Sequence, residues 1–173
     1  KARVESMIER PVDQLLSNQE IRKLETVVNT GMLNAGLVLS QLVGSNVELF
    51  MPEIALTDKD SLTSDMRDLY ENYFGLKIRM NGDLNGNLLM IFSEEKGSEL
   101  SNKLLQSSVD SDLAKKMTDD HISVLSEISN IVCASIINAL SNKAKTQIMP
   151  SVPELVTGGF REVLDLSLIH ISE

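Results

Sequence analysis

The spacing of apolar and polar positions divides the chain into helices and strands. Leu24, Val27, Val28, Leu37, Val38 and Leu42 recur at helical intervals and predict a long helix from Ser17 or Asn18, either of which serves as N-cap, with Glu20 in the first turn. It runs to about Val43, where Gly44 ends it. Residues 47–51 alternate at period two and predict a strand leading into Pro52, after which Thr63 or Ser64 caps a short helix through Tyr73 that stops at Gly75. Residues 76–80 and 88–92 read as two strands joined by 81–87, whose Gly and Asn residues suit a hairpin turn. A helix over about 95–105 and a polar link, 106–112, precede a second long helix with Asp119 or Asp120 as N-cap and apolar residues from Ile122 to Leu140. Residues 147–155 predict a further strand.

The helix-then-strand unit occurs twice. An offset of 101 places Leu24 on Leu125, Asn29 on Asn130, Leu39 on Leu140, Ser40 on Ser141, Pro52 on Pro153 and Glu53 on Glu154, without a gap. This predicts an α/β (α+β) fold of two pseudo-symmetric helix–strand halves, with a pair of long helices packed on a shared, mainly antiparallel sheet.

Charge and composition narrow the function. Twenty-five acidic against 16 basic residues give a net charge of −9, which argues against nucleic acid as a partner. Aromatic residues are only 3% of the chain, so the core must be aliphatic and filled in by methionine. Cys133 is the single cysteine, which excludes an intramolecular disulfide and a multi-cysteine zinc site and suits a reducing, cytoplasmic setting. The richest apolar stretches are interrupted by Ser, Gln or Asn, so no membrane span is expected. Cys133 and His121 do not make a nucleophile–base pair, because twelve helical residues separate them by about 18 Å. Asp119, Asp120, Glu94 and Glu95 read as caps and solvated turns, and no metal is expected.

The candidate chemistry lies on the second long helix. Ser123, Glu127 and Asn130 fall within about 60° of one another, and Ala134, Asn138 and Ser141 extend the same strip. Leu125, Ile128, Val132, Ile136 and Ala139 gather on the other side. A polar strip of this kind is most often a solvated surface, so spacing alone assigns it no chemistry.

Ser123-x3-Glu127-x2-Asn130, with Pro153 following 23 positions after Asn130, resembles the signature helix of the CheC/CheX/FliY phosphatases of bacterial and archaeal chemotaxis. The repeat and the hairpin turn at 82–86 resemble the same family, over about residues 20–160. Asn29-Thr30-Gly31, Ser40 and Pro52 fit the family's first signature, but Thr26 stands where Glu is expected and Arg22 where an acidic residue or Ser is expected. Glu25 is one residue out of register, about 100° around the helix. The resemblance therefore implies a catalytically degenerate first site at Arg22, Thr26 and Asn29.

It further implies hydrolysis of the aspartyl phosphate of a CheY-like response regulator. The regulator's acidic pocket supplies Mg²⁺ and a Lys, and this chain binds no cofactor of its own. Asn130 then orients the attacking water, Glu127 pairs with the regulator's Lys, and Ser123 adds a partner contact at the rim. The implied partners are a phosphorylated CheY-like receiver domain and a CheD-like deamidase. The competing reading is a noncatalytic module docking on a response regulator, a flagellar switch or a CheD-like protein.

The domain expected at 19–164 is flanked by two other segments. Residues 1–18 read as the tail of a preceding domain or a frayed start, and 165–173 read either as a native strand or as a non-native tail.

Overall fold

The computed structural model describes residues 15–51, 53–65, 72–105 and 117–168. The first long helix, α1 (Asn18–Val43), starts at a reciprocal cap, in which the Glu20 amide donates to Ser17 Oγ and the Ser17 amide to Glu20 Oε2. The Ser17 hydroxyl, which also donates to Glu20 Oε2 at 2.7 Å, and then the Ser17 amide hold the Glu20 carboxyl below its usual range. α1 ends at Gly44, whose φ of 67° needs a residue without Cβ strain. The short helix α2 (Lys59–Asp65) begins earlier than predicted, because Asp58 rather than Thr63 or Ser64 caps it through the Ser61 amide. Residues 66–71 lie outside the described residues, and Tyr73 to Gly75 are strand, not the end of a helix.

The hairpin forms as predicted, with longer arms. β1 (Tyr73–Gly82) pairs antiparallel with β2 (Gly86–Ser93), Tyr73 opposite Ser93 and Met80 opposite Gly86. α3 (Glu94–Leu105) follows. The expected link at 106–112 lies outside the described residues. The second long helix, α4 (Asp119–Ala144), is capped by Thr118 rather than by Asp119 or Asp120. The predicted strand at 147–155 is two pieces, β3 (Ile148–Pro150) and β4 (Glu154–Gly158), both antiparallel to the other edge of β1. Ser151 bridges the gap between them by donating its amide to Arg79 O and accepting the Arg79 amide at its Oγ. β1 is thus the central strand.

Burial on both faces of β1 follows from that position. Phe74 and Leu76 pack in one core with Ala35, Leu39, Leu125, Ile128 and Val132, and Ile78 in a second with Cys133, Ile137 and Ile148, so this face carries α1 and α4. The opposite face is covered by α5 (Phe160–Leu168): Val163 sits against Gly75, Phe160 meets Tyr73 edge to face at 5.4 Å, and buried Lys77 donates from Nζ to Leu166 O at 3.2 Å. The strand expected over 165–173 is therefore helix as far as Leu168, and Asp165 pairs with Lys59. This helix crosses the division expected at 164.

The repeat is visible in space, but only partly. Both long helices have 26 residues, and 101 positions separate their starts and their ends. The segment at 47–51 departs from the prediction. It is not a strand, since its Val47 amide goes to Ser40 Oγ at 2.8 Å and no described strand runs beside it, whereas its counterpart Ile148 is paired with Gly82. By length and composition α1 and α4 would each suffice to cross a bilayer; here Val27, Ala35 and Leu39 of α1 and Leu125, Ile128 and Val132 of α4 are buried in the core, whereas Leu33, Leu37, Val38 and Leu42 of α1 are exposed.

Candidate functional site

α4 turns Leu125, Ile128, Ser129 and Val132 inward, which forces Ser123, Glu127 and Asn130 to the surface, all three exposed on one strip. Glu127 and Asn130 lie one turn apart and make no hydrogen bond to another described residue, so both side chains are available to a partner. The start of the helix is fixed from two directions. The His121 amide donates to Thr118 Oγ1, and the Thr118 amide to His121 Nδ1 at 3.3 Å, which leaves His121 Nε2 as donor to Asn102 Oδ1 at 3.0 Å on α3. Ser101 Oγ adds a bond to His121 O. A Thr-x-x-His box was legible in the sequence as a spacing, yet His is an unusual residue at its third position and the Asn102 tie depends on the tertiary fold.

The degenerate site occupies the equivalent strip of α1. Arg22, Thr26 and Asn29 are all exposed. The Thr26 hydroxyl donates to Arg22 O at 2.8 Å and the Thr30 hydroxyl to Thr26 O at 2.9 Å, so the position expected to hold Glu presents a hydroxyl bound to its own helix. The helices are antiparallel. Gly31 crosses at Ile136, so closely that a Cβ on Gly31 would lie 2.7 Å from Ile136 Cα. Each strip is therefore flanked by the C-terminal half of the other helix. Beside Thr26 lies a cavity of about 360 Å³ lined by Asn34, Asn138, Asn142 and Lys143, among others. Beside Glu127 lies one of about 400 Å³ lined by Leu39, Leu42, Val43, Leu104, Leu105 and Val124, among others. Neither groove was foreseen, since both depend on the pairing of the helices.

Other candidates fall away. Cys133 is 1% exposed and burial pushes its thiol up to about 11, which suits packing and not nucleophilic chemistry. His121 is occupied by the cap. Among the described residues no three His, Cys, Asp or Glu side chains cluster to hold a metal ion.

With that geometry in hand, comparison with known proteins gives a consistent result. Residues 74–167 match the family described as "Chemotaxis phosphatase CheX". The "CheY-P phosphatase CheC" of Bacillus subtilis (strain 168) is 26% identical over 160 residues, spanning 91% of this chain and 76% of that protein. Among solved structures, Thermotoga maritima FliY superposes with a TM-score of 0.71 at 17% identity, covering 85% of this chain and 72% of that one. A CheX from Desulfovibrio desulfuricans gives a TM-score of 0.50 at 14% identity over 78% of this chain and 79% of its own. The matched region carries α4 with Glu127 and Asn130 and, but for Tyr73, the four described strands, and the chain belongs to the CheC/CheX/FliY family of chemotaxis phosphatases.

Proposed function

We propose that this protein hydrolyses the aspartyl phosphate of a CheY-like response regulator, using the exposed strip of α4. One observation carries the reading: a carboxylate and a carboxamide one turn apart, both exposed and unengaged, on the helix whose motif the family resemblance singles out. The name of the Bacillus subtilis relative supports the substrate class.

The chemistry needs little from this chain. In-line hydrolysis forms a bond from water oxygen to phosphorus, breaks the phosphorus–carboxylate oxygen bond, and returns the regulator's Asp as carboxylate with release of inorganic phosphate. The regulator's pocket supplies Mg²⁺ and Lys. What is missing is a group that holds the water opposite the leaving oxygen. A neutral amide both donates and accepts, so Asn130 orients the water without adding negative charge beside the phosphoryl oxygens. A carboxylate there would be repelled; one turn away, Glu127 pairs with the regulator's Lys and fixes the helix in the pocket. Ser123 contributes a contact at the rim. In this reading the protein works in the cytoplasm, its long helices are core elements and not bilayer spans, and the site at Arg22, Thr26 and Asn29 does not catalyse.

Phosphate loss from a phosphorylated CheY-like protein with Mg²⁺ tests this. Asn130→Ala should slow turnover by about 10²-fold, corresponding to roughly 3 kcal/mol of lost positioning. The fold should survive, because the side chain is exposed. Equal regulator half-lives with wild type and Asn130→Ala would overturn the catalytic role. The second reading, a noncatalytic dock for a regulator, a flagellar switch or a CheD-like deamidase, is favoured by Thr26 and Arg22 on α1. It predicts binding without any phosphate release.

A further inference from the structure

The groove beside Glu127 has a character that its repeat-related counterpart lacks. Its lining is aliphatic except for Glu127 itself, and Leu42 and Leu105 at its mouth are 61% and 45% exposed. The counterpart beside Thr26 is lined by Asn138, Asn142 and Lys143. Under the offset of 101, Leu42 corresponds to Lys143. So the helix that keeps the carboxylate has an apolar groove at its side, and the helix that lost it has a polar one.

We propose that the apolar groove is the docking site for one or two aliphatic or aromatic side chains at the lip of the phosphorylated receiver domain's acidic pocket. The proposal rests on the function argued above. Electrostatics point to it: a chain of net charge −9, offering a carboxylate to a pocket that is acidic and phosphorylated, gains nothing from long-range attraction. Affinity beyond the single Glu127–Lys pair must then come from contacts that are not ionic, and the apolar surface continuous with Glu127 is where they are available. Occupancy has a second effect. Covering the groove removes water from one side of Glu127, which strengthens its charge-assisted bond to the partner's Lys.

The repeat supplies the variants. Leu42→Lys copies the other groove, and Leu105→Gln changes the opposite wall without placing a charge near Glu127. Val152→Asn, at an apolar position 83% exposed in the β3–β4 link, is the control. Affinity is measured for a CheY-like receiver loaded with beryllofluoride as phosphoryl mimic, alongside hydrolysis of the phosphorylated form and a thermal melt of each variant. Each groove variant should raise Kd and KM about tenfold, with the rate recovered at saturating receiver and the melt unchanged, because both sites are exposed. An unchanged Kd for both folded variants overturns the proposal. So does a wild-type dimer that Leu42→Lys dissociates at unaltered receiver affinity, since the groove then belongs to a second copy. A wild type that binds the loaded receiver without hydrolysing phosphate ends the catalytic reading alone, and the groove is still decided by the Kd comparison. A wild type that binds neither form ends both.

Discussion

Gly31→Ala sets two effects of opposite sign against each other at the crossing of the two long helices. In an unconstrained helix interior the change is favourable by about 0.5–1 kcal/mol, because alanine loses less backbone freedom on folding. At this crossing the added methyl would lie 2.7 Å from Ile136 Cα and 3.0 Å from both Ile136 N and Cγ1. Ordinary carbon contacts begin near 3.5 Å, so α1 and α4 must separate by nearly 1 Å, and two of the three atoms met are backbone and cannot rotate away. Overpacking of this kind costs about 1–3 kcal/mol, and separation also loosens the contacts of Ala35 and Val132 in the same core. The overpacking outweighs the propensity gain, leaving a net loss of about 0.5–2 kcal/mol, or roughly 2–6 °C in melting temperature for a chain of this size. Circular dichroism at 222 nm through a thermal or urea transition measures it. Shortening the neighbour in Gly31→Ala/Ile136→Val should not restore stability, since Cα remains where it was. Glu127 and Asn130 ride on one helix, so their spacing persists and the phosphatase rate should fall less steeply than stability. A melting temperature above that of wild type would show that propensity wins and that the close approach is not a feature of the folded protein.

Two other features make predictions as direct. Cys133, with its thiol raised to about 11 by burial, should resist iodoacetamide at pH 8 in the native state and react at once in urea. Because the folded value lies above the ordinary 9.0, the stability tied to it is complete below pH 9 and is lost as pH rises through about 11; rapid native labelling at pH 8 would refute the burial. Lys77 is 1% exposed and holds Leu166 O at 3.2 Å and Glu154 at 3.8 Å. Lys77→Met should be neutral to within about 1 kcal/mol, while Glu154→Ala, which removes the carboxylate that pairs with Arg79 and lies near the buried ammonium, should cost about 1–3 kcal/mol after allowance for the partial exposure of Glu154 and Arg79. Urea unfolding that ranks the two the other way would show that the ammonium adds net stability.

Local signals were enough for much of this protein. Ser17 with Glu20 and then Gly44 delimit α1 through bonds that span only a few residues, and the Gly and Asn residues of the turn at 82–86 commit two apolar runs to a hairpin. The strip of Ser123, Glu127 and Asn130 is likewise legible, because a helix with one buried face must expose the other. The identity of the cap at Thr118 was harder to read, since Thr and Asp both accept from an N–H, and the His121 tie to Asn102 settles the choice from 19 residues away.

The alternating pattern at 47–51 has the same form as a strand, yet a strand exists only where a neighbour accepts its backbone bonds, and those residues find α1 instead. The closing apolar run reads from sequence as a strand or as a non-native tail, and the unfilled face of β1 at Gly75 and Lys77 draws it into the helix α5 instead. Sequence periodicity thus determined which residues of α4 point outward, whereas on α1 the apolar Leu37, Val38 and Leu42 are exposed and the small Gly31 and Ala35 are buried, because a close crossing selects small side chains. Only the antiparallel docking of α1 on α4 decided what stands beside them: a crossing tight enough to require Gly31, and an apolar groove next to the one strip that retains its carboxylate. Contacts between residues roughly a hundred positions apart are set by packing, and no local pattern encodes them.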